Sequence, residues 1–124
     1  MTGVYVATKT DSSGTLSPAA LGTAYTVYSV GADSQADDFL LEGYLDLRNM
    51  ASGDTVQLLE YVNVLGNALE PFQENTYSGA QTLPVIRFYS KTLAKAGGYS
   101  VTLNQTAGTL RTYDWAFILQ VLSG

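Results

Sequence analysis

Two stretches near the C-terminus alternate apolar and polar residues with period two. In the first, Tyr99, Val101 and Leu103 stand against Ser100, Thr102 and Asn104. A turn at Thr106-Ala107-Gly108-Thr109 follows. In the second, Tyr113, Trp115, Phe117, Leu119 and Val121 share one face, and Thr112, Asp114, Ala116, Ile118 and Gln120 share the other. Successive side chains of a strand point to opposite sides, so this pattern marks strands with one buried face. It puts a Tyr-Trp-Phe row into a β core and reads as a closing hairpin.

The rest of the chain follows the same logic. Nine tyrosines and many Val, Thr and Leu favour strand. Turn signals recur at Ser13-Gly14, Gly31, Ser52-Gly53, Gly66, Ser78-Gly79, Gly97-Gly98 and Ala107-Gly108. Short strands between regular turns predict a sandwich or barrel. Eight strands are expected, over Val4–Thr8, Ala24–Val30, Phe39–Arg48, Val56–Leu65, Leu69–Tyr77, Val85–Tyr89, Tyr99–Gln105 and Tyr113–Val121. The third is clear: Phe39, Leu41, Gly43, Leu45 and Leu47 oppose Leu40, Glu42, Tyr44, Asp46 and Arg48. The pattern slips at Leu58-Leu59, which predicts a bulge. Pro71 predicts an edge position for the fifth strand. Asp11–Gly22 reads as a loop, and Ser90–Ala96 as a loop or a single helical turn between Ser90 and Gly97. The fold class is therefore all-β: an antiparallel β-sandwich, jelly-roll-like, of about eight strands in one domain over residues 1–124. Periodicity does not give strand order, so other eight-stranded sandwiches satisfy it equally.

Composition removes several functions. The chain has no cysteine, so disulfides and thiolate metal sites are excluded. It has no histidine, hence no Ser-His-Asp nucleophile and none of the commonest metal ligand. Net charge is -5, and Lys9, Arg48, Arg87, Lys91, Lys95 and Arg111 form no dense basic run, which argues against nucleic acid as a partner. No apolar run is long enough for a membrane-spanning helix. The N-terminus lacks the basic and apolar regions of a signal peptide, and Met1 reads as a start codon. Charged residues make up 14% of the chain, against roughly 25% in ordinary soluble domains, which suits a subunit covered by partners.

Candidate chemistry is sparse. Asp33, Asp37 and Asp38 sit on one loop, but without the spacing of an EF-hand; a solvated connection accounts for them. Glu42, Asp46 and Glu60 fall on strands expected to be neighbours, and paired carboxylates can hydrolyse glycosides. Asp46 stands two positions from Arg48, and solvent-facing charges are the simpler account. No catalytic, cofactor-binding or metal-ligating residue is assigned, and no cofactor is expected. Gly-rich phosphate cradles are absent. The nine tyrosines cannot all be central core; ordinary core and rim positions in strands account for many of them, and the others suit a subunit interface or a sugar-binding platform.

The run Gly98-Tyr99-Ser100-Val101-Thr102-Leu103-Asn104-Gln105-Thr106-Ala107-Gly108-Thr109, with Tyr113-Asp114-Trp115 after it, resembles the closing strands of small virion proteins encoded by tailed phages. The resemblance is confined to this C-terminal stretch and brings no site residue with it. It implies a compact jelly roll or sandwich that decorates or cements a capsid. The implied partners are copies of the chain itself, closed as a trimer, and a major capsid protein, on the surface of a virion. The alternative is a carbohydrate-binding β-sandwich module of a tail or secreted fibre.

Overall fold

The structure, a computed structural model, describes residues 5–64 and 68–123. Eight strands form: β1 (Tyr5–Leu16), β2 (Ala24–Val30), β3 (Phe39–Asp46), β4 (Thr55–Val62), β5 (Glu70–Ser78), β6 (Val85–Leu93), β7 (Tyr99–Ala107) and β8 (Tyr113–Ser123). The expected strand ends at Val4 and Leu65, and the turn signal at Gly66, lie outside the described residues. Strands β1 with β8, β2 with β7, β3 with β6 and β4 with β5 all pair antiparallel. The chain is thus one long hairpin with four strands in each arm. That hairpin is rolled so that β8 also meets β3 and β7 also meets β4. Two four-stranded sheets result, β1-β8-β3-β6 and β2-β7-β4-β5. The alternation led one to expect an all-β sandwich, and the strand order, which it does not give, is that of a jelly roll.

The rolling corrects one reading. Strands β7 and β8 are not a hairpin; they lie at the centres of different sheets. Alternation reports which side chains face inward, not which strand lies alongside. The Gly108 turn is a corner between sheets. Buried Asp54 holds it, accepting from Ala51 N at 2.8 Å, Thr109 N at 3.0 Å and Arg111 Nε at 2.8 Å. Gly108 has φ 88°, and a Cβ there would lie 2.7 Å from Asp54 Cα, so only glycine fits. Gln105 completes the corner. Its amide nitrogen donates to Thr109 O at 2.6 Å, while its oxygen accepts from Tyr113 Oη at 2.7 Å.

The inward rows meet between the sheets. Phe39, Leu41, Leu45, Phe117, Leu119 and Val121 come from one side; Val56, Leu58, Tyr99, Val101 and Leu103 come from the other. Fully burying such side chains stabilises by about 1.5–3 kcal/mol each. Phe117 sits at the centre, stacked on Tyr28 with ring centroids 4.3 Å apart and on Phe88 at 5.4 Å. Gly43 lies directly across from it on β3. Trp115 packs against the core but remains half-buried, while Tyr113 is fully buried.

Two boundaries and the place of one irregularity differ from expectation. Strand β1 runs on through Leu16, where a loop was expected, because it pairs with β8 along its whole length. Gly14 is a strand residue: it faces Trp115, and a Cβ would lie 3.0 Å from the indole. Strand β6 continues to Leu93 through Ser90-Lys91-Thr92, pairing with β3, so of the expected loop or helical turn over Ser90–Ala96 only Ala94–Ala96 is a loop, closed by Gly97 N donating to Ala94 O at 2.8 Å. The ladders are regular at Leu58-Leu59; the irregularities fall at Thr55/Val56 and Glu60/Tyr61. The apparent slip arises because the inward residue there is Glu60. Pro71 does lie in an end strand, β5.

Candidate functional site

The acidic candidates are kept apart. Glu42 and Asp46 lie on β3, and Glu60 lies on β4 in the other sheet, so the expected neighbourhood of the three does not form. Asp46 pairs with Arg48 at 2.5 Å, and Glu42 pairs with Arg87 at 3.1 Å on the outer surface. The Asp33–Asp38 loop is occupied with its own chain. Asp38 accepts from Lys95 N at 2.8 Å, Asp37 accepts from Asp38 N at 2.8 Å, and Asp33 pairs with Lys95 at 3.4 Å. Among the described residues no group of three or more acidic side chains gathers in a way that would hold a metal ion. No helix of the described residues is long and apolar enough to cross a membrane.

Glu60 is the exception in placement. It continues the inward row of Val56 and Leu58 and is buried. A buried carboxylate is strongly unfavourable unless it is paired and hydrogen-bonded. Here Tyr99 Oη donates to Glu60 Oε1 at 2.5 Å, and Lys91 Nζ lies 3.4 Å from the same oxygen. Lys91 reaches in from β6 of the opposite sheet, with its ammonium 4.9 Å from the Tyr99 ring centroid. It also donates to Tyr89 O. Burial, the hydrogen bond to Glu60 and the Glu60 charge all push the Tyr99 phenol well above its ordinary value. The three side chains form an ionic bridge between the sheets.

That bridge borders a cleft of about 490 Å³ where end strands β5 and β6 face each other. Phe72, Gln73, Asn75 and Tyr77 line one wall, and Val85, Phe88, Tyr89 and Lys91 line the other. Phe72 and Tyr89 are well exposed. Sequence reading passed over Gln73, Asn75 and Lys91. Residues Gln73 to Thr76 are all polar, so β5 carries no alternation that would have singled out its inward positions.

The tyrosines divide by environment. Tyr99 and Tyr113 are core; Tyr25, Tyr28, Tyr61 and Tyr77 are half-buried; Tyr5, Tyr44 and Tyr89 are exposed. Tyr44 belongs to the outer face of the β1-β8-β3-β6 sheet, directly across from Ala116. Leu40, Ile118 and Leu122 share that face, and a shallow hollow of about 220 Å³ opens beside Tyr44, Val85 and Ala116. The outer face of the other sheet carries Thr55, Gln57, Ser100, Thr102 and Asn104. The first surface is mixed, since Glu42, Asp46, Asp114 and Gln120 stand among those apolar side chains, and Leu59 and Tyr61 stand among the polar ones of the second.

No protein-family model matches the chain, and no curated protein matches it. A solved structure with the same fold comes from work described as "Bacillus endospore appendages form a novel family of disulfide-linked pili". The two chains share 19% identity with a TM-score of 0.52, over 94% of this chain and 90% of that one. At this identity the likeness establishes the fold.

Proposed function

We propose that this chain is a non-enzymatic structural subunit that joins copies of itself within a larger extracellular or particle-surface assembly. The supporting observation is a patch of Leu40, Tyr44, Ala116, Ile118 and Leu122 on the outer face of the β1-β8-β3-β6 sheet, with Tyr44 43% exposed at its centre. An exposed tyrosine ringed by aliphatic and polar side chains has the composition of a contact face. Glu42 and Asp46 within the patch pair with Arg87 and Arg48, and Asp114 accepts from Thr15 Oγ1 at 2.6 Å, which lowers the desolvation penalty of covering them.

The finer reading is a decoration or cement subunit on a virus capsid, closed as a trimer, with the major capsid protein as its partner. It is supported by the C-terminal resemblance and by the jelly-roll topology. A second reading, a subunit of a surface appendage, is supported by the fold shared with the endospore appendage protein. These 124 residues contain no cysteine, so copies of this segment would be held by packing and strand contacts, not by disulfides.

Light scattering coupled to size exclusion tests the common core of both readings. The expected result is a defined multimer that Tyr44→Glu with Ala116→Lys converts to monomer, with no loss of thermal stability because both side chains are exposed. A wild-type chain that stays monomeric at high micromolar concentration, and does not co-sediment with any particle, would overturn the proposal.

A further inference from the structure

Strand β5 departs from the rule that inward positions of a sandwich are apolar. Its inward side chains follow from the β4 ladder: Tyr77 lies across from Val56, Asn75 across from Leu58, and Gln73 across from Glu60. Val56 and Leu58 belong to the core, so Asn75 and Gln73 point the same way, toward β6. Opposite them on β6 stand Ile86, Phe88 and Lys91. A sealed sandwich would have Val, Ile or Leu at these positions. Here the row is polar, the end strands stay apart, and the cleft of about 490 Å³ lies between them. Small-ligand sites span about 300–1,000 Å³.

The lining selects a ligand chemistry. Lys91 is neutralised by Glu60, and Arg87 by Glu42 at 3.1 Å, so the charges cancel and a neutral ligand is favoured. Gln73 and Asn75 are exposed in the cleft, and the amide of each offers donors and an acceptor to an occupant. At the rim, Phe72 from β5 is 47% exposed and Tyr89 from β6 is 76% exposed. The Arg87 guanidinium lies 5.7 Å from the Tyr89 ring centroid and steadies it. A neutral molecule that both donates and accepts hydrogen bonds, and presents C–H faces to aromatic rings, is a saccharide. An apolar peptide segment would leave the amides without partners, which penalises burying them.

We propose that the β5–β6 cleft is a saccharide-binding site, with Tyr89 and Phe72 as stacking platforms and Gln73 and Asn75 as the hydrogen-bonding groups. It adjoins the Tyr44–Ala116 face, sharing Val85 with the hollow there and with Arg87 directly across from Tyr44, but the test reads saccharide binding and not oligomeric state, so failure of one proposal is distinguishable from failure of the other.

Amide chemical-shift mapping on the full chain tests it, with maltotriose, cellotriose and N,N′-diacetylchitobiose as probes. At least one probe should give saturable shifts in residues 72–77 and 85–91 and in the side-chain amides of Gln73 and Asn75, with a Kd of about 1 mM or tighter. Tyr89→Ala and Asn75→Leu should each weaken that probe about tenfold without lowering the melting temperature. Three outcomes would overturn the proposal. They are no saturable shift with any of the three, shifts lying outside the cleft, and displacement to the same residues only by an apolar valine-threonine peptide.

Discussion

Gly43→Ala is the smallest change that should disturb the whole core. Gly43 lies across from Phe117, and a Cβ at this position would stand 2.5 Å from Cε2 and 2.6 Å from Cγ of that ring. Carbon atoms pack at about 3.5–4.0 Å, so the ring must retreat by roughly 1 Å. It has nowhere to go. Tyr28 is stacked on it at 4.3 Å with an interplanar angle of 5°, Phe88 at 5.4 Å and 15°, and the residue is 1% exposed. Overpacking in a well-packed core destabilises by about 1–3 kcal/mol, and this site should reach about 3 kcal/mol. Phe117→Leu alone should destabilise by about 1.5 kcal/mol or more through lost contacts. In the double variant the new methyl occupies space vacated by the ring. The two changes should then fall short of additivity by about 1–2 kcal/mol, as contacting residues do. Urea unfolding followed by Trp115 fluorescence reads all four corners of the cycle, since that indole is the only one in the chain and lies 6.3 Å from Phe117. A Gly43→Ala variant within 0.5 kcal/mol of the parent (about the size of ordinary surface effects), or strict additivity, would refute the packing argument.

Other expectations follow from the buried polar groups. Lys91→Met should destabilise by about 3 kcal/mol because it leaves Glu60 charged and buried, while Lys91→Met with Glu60→Gln should recover much of that loss in chemical denaturation. Burial first, then the Asp54 charge, raises the Tyr113 phenol to about 12 from 10.0, and Tyr99 is raised too. Their neutral forms are favoured by folding, so this stability is intact below pH 10 and is lost as pH rises from there. Absorbance titration should show these phenols ionising with unfolding; full ionisation of all nine with native circular dichroism retained would contradict it. At Asp54, burial opposes ionisation, but hydrogen bonds from Ala51, Arg111 and Thr109 and the Arg111 charge outweigh it, leaving the carboxyl below its ordinary value. Its contribution is present above that ordinary value and fades as pH falls below it. Asp54→Ala should destabilise by about 2–4 kcal/mol near neutrality, from unsatisfied donors at the Gly108 corner, and should flatten the acid limb of the stability profile.

Inward and outward faces were legible wherever apolar residues alternated, as in β3, β7 and β8, because burial itself writes that pattern. Strand partners were not, since β7 and β8 carry the same signal whether they pair or sit in different sheets. The first strand was expected only to Thr8, and its continuation to Leu16 was missed because an end strand with Ser, Thr and Gly on both sides has no apolar period; only the ladder to β8 reveals it. Glycine misled for a related reason. Gly14 was read as a turn signal, whereas it, like Gly43 on the inward row of β3, makes room for an aromatic ring on β8. The cleft was hidden because Glu60 looked like a surface charge. Only its inward register, with Lys91 arriving from the other sheet, turns it into an interior bridge.

The placement of polar residues explains why the sandwich closes on one side and opens on the other. Strands β5 and β6 are consecutive in the chain, belong to different sheets, and both lie at sheet ends. Apolar residues on their inward rows would have drawn the sheets together there. At the other side, Leu16 and Tyr28 pack against the core and Pro18 is buried. An opening at the sheet ends leaves the centre of the outer face, around Tyr44 and Ala116, intact for contact. Copies joined through that face would each present one cleft along the assembly. A single weak saccharide site holds its ligand briefly, but repeated sites on one body raise effective affinity by about 10²–10⁴ when their spacing matches the target. Assembly and recognition would thus reinforce each other. Breaking the Tyr44–Ala116 contact should leave the affinity of the isolated cleft unchanged, while abolishing retention on a polysaccharide surface.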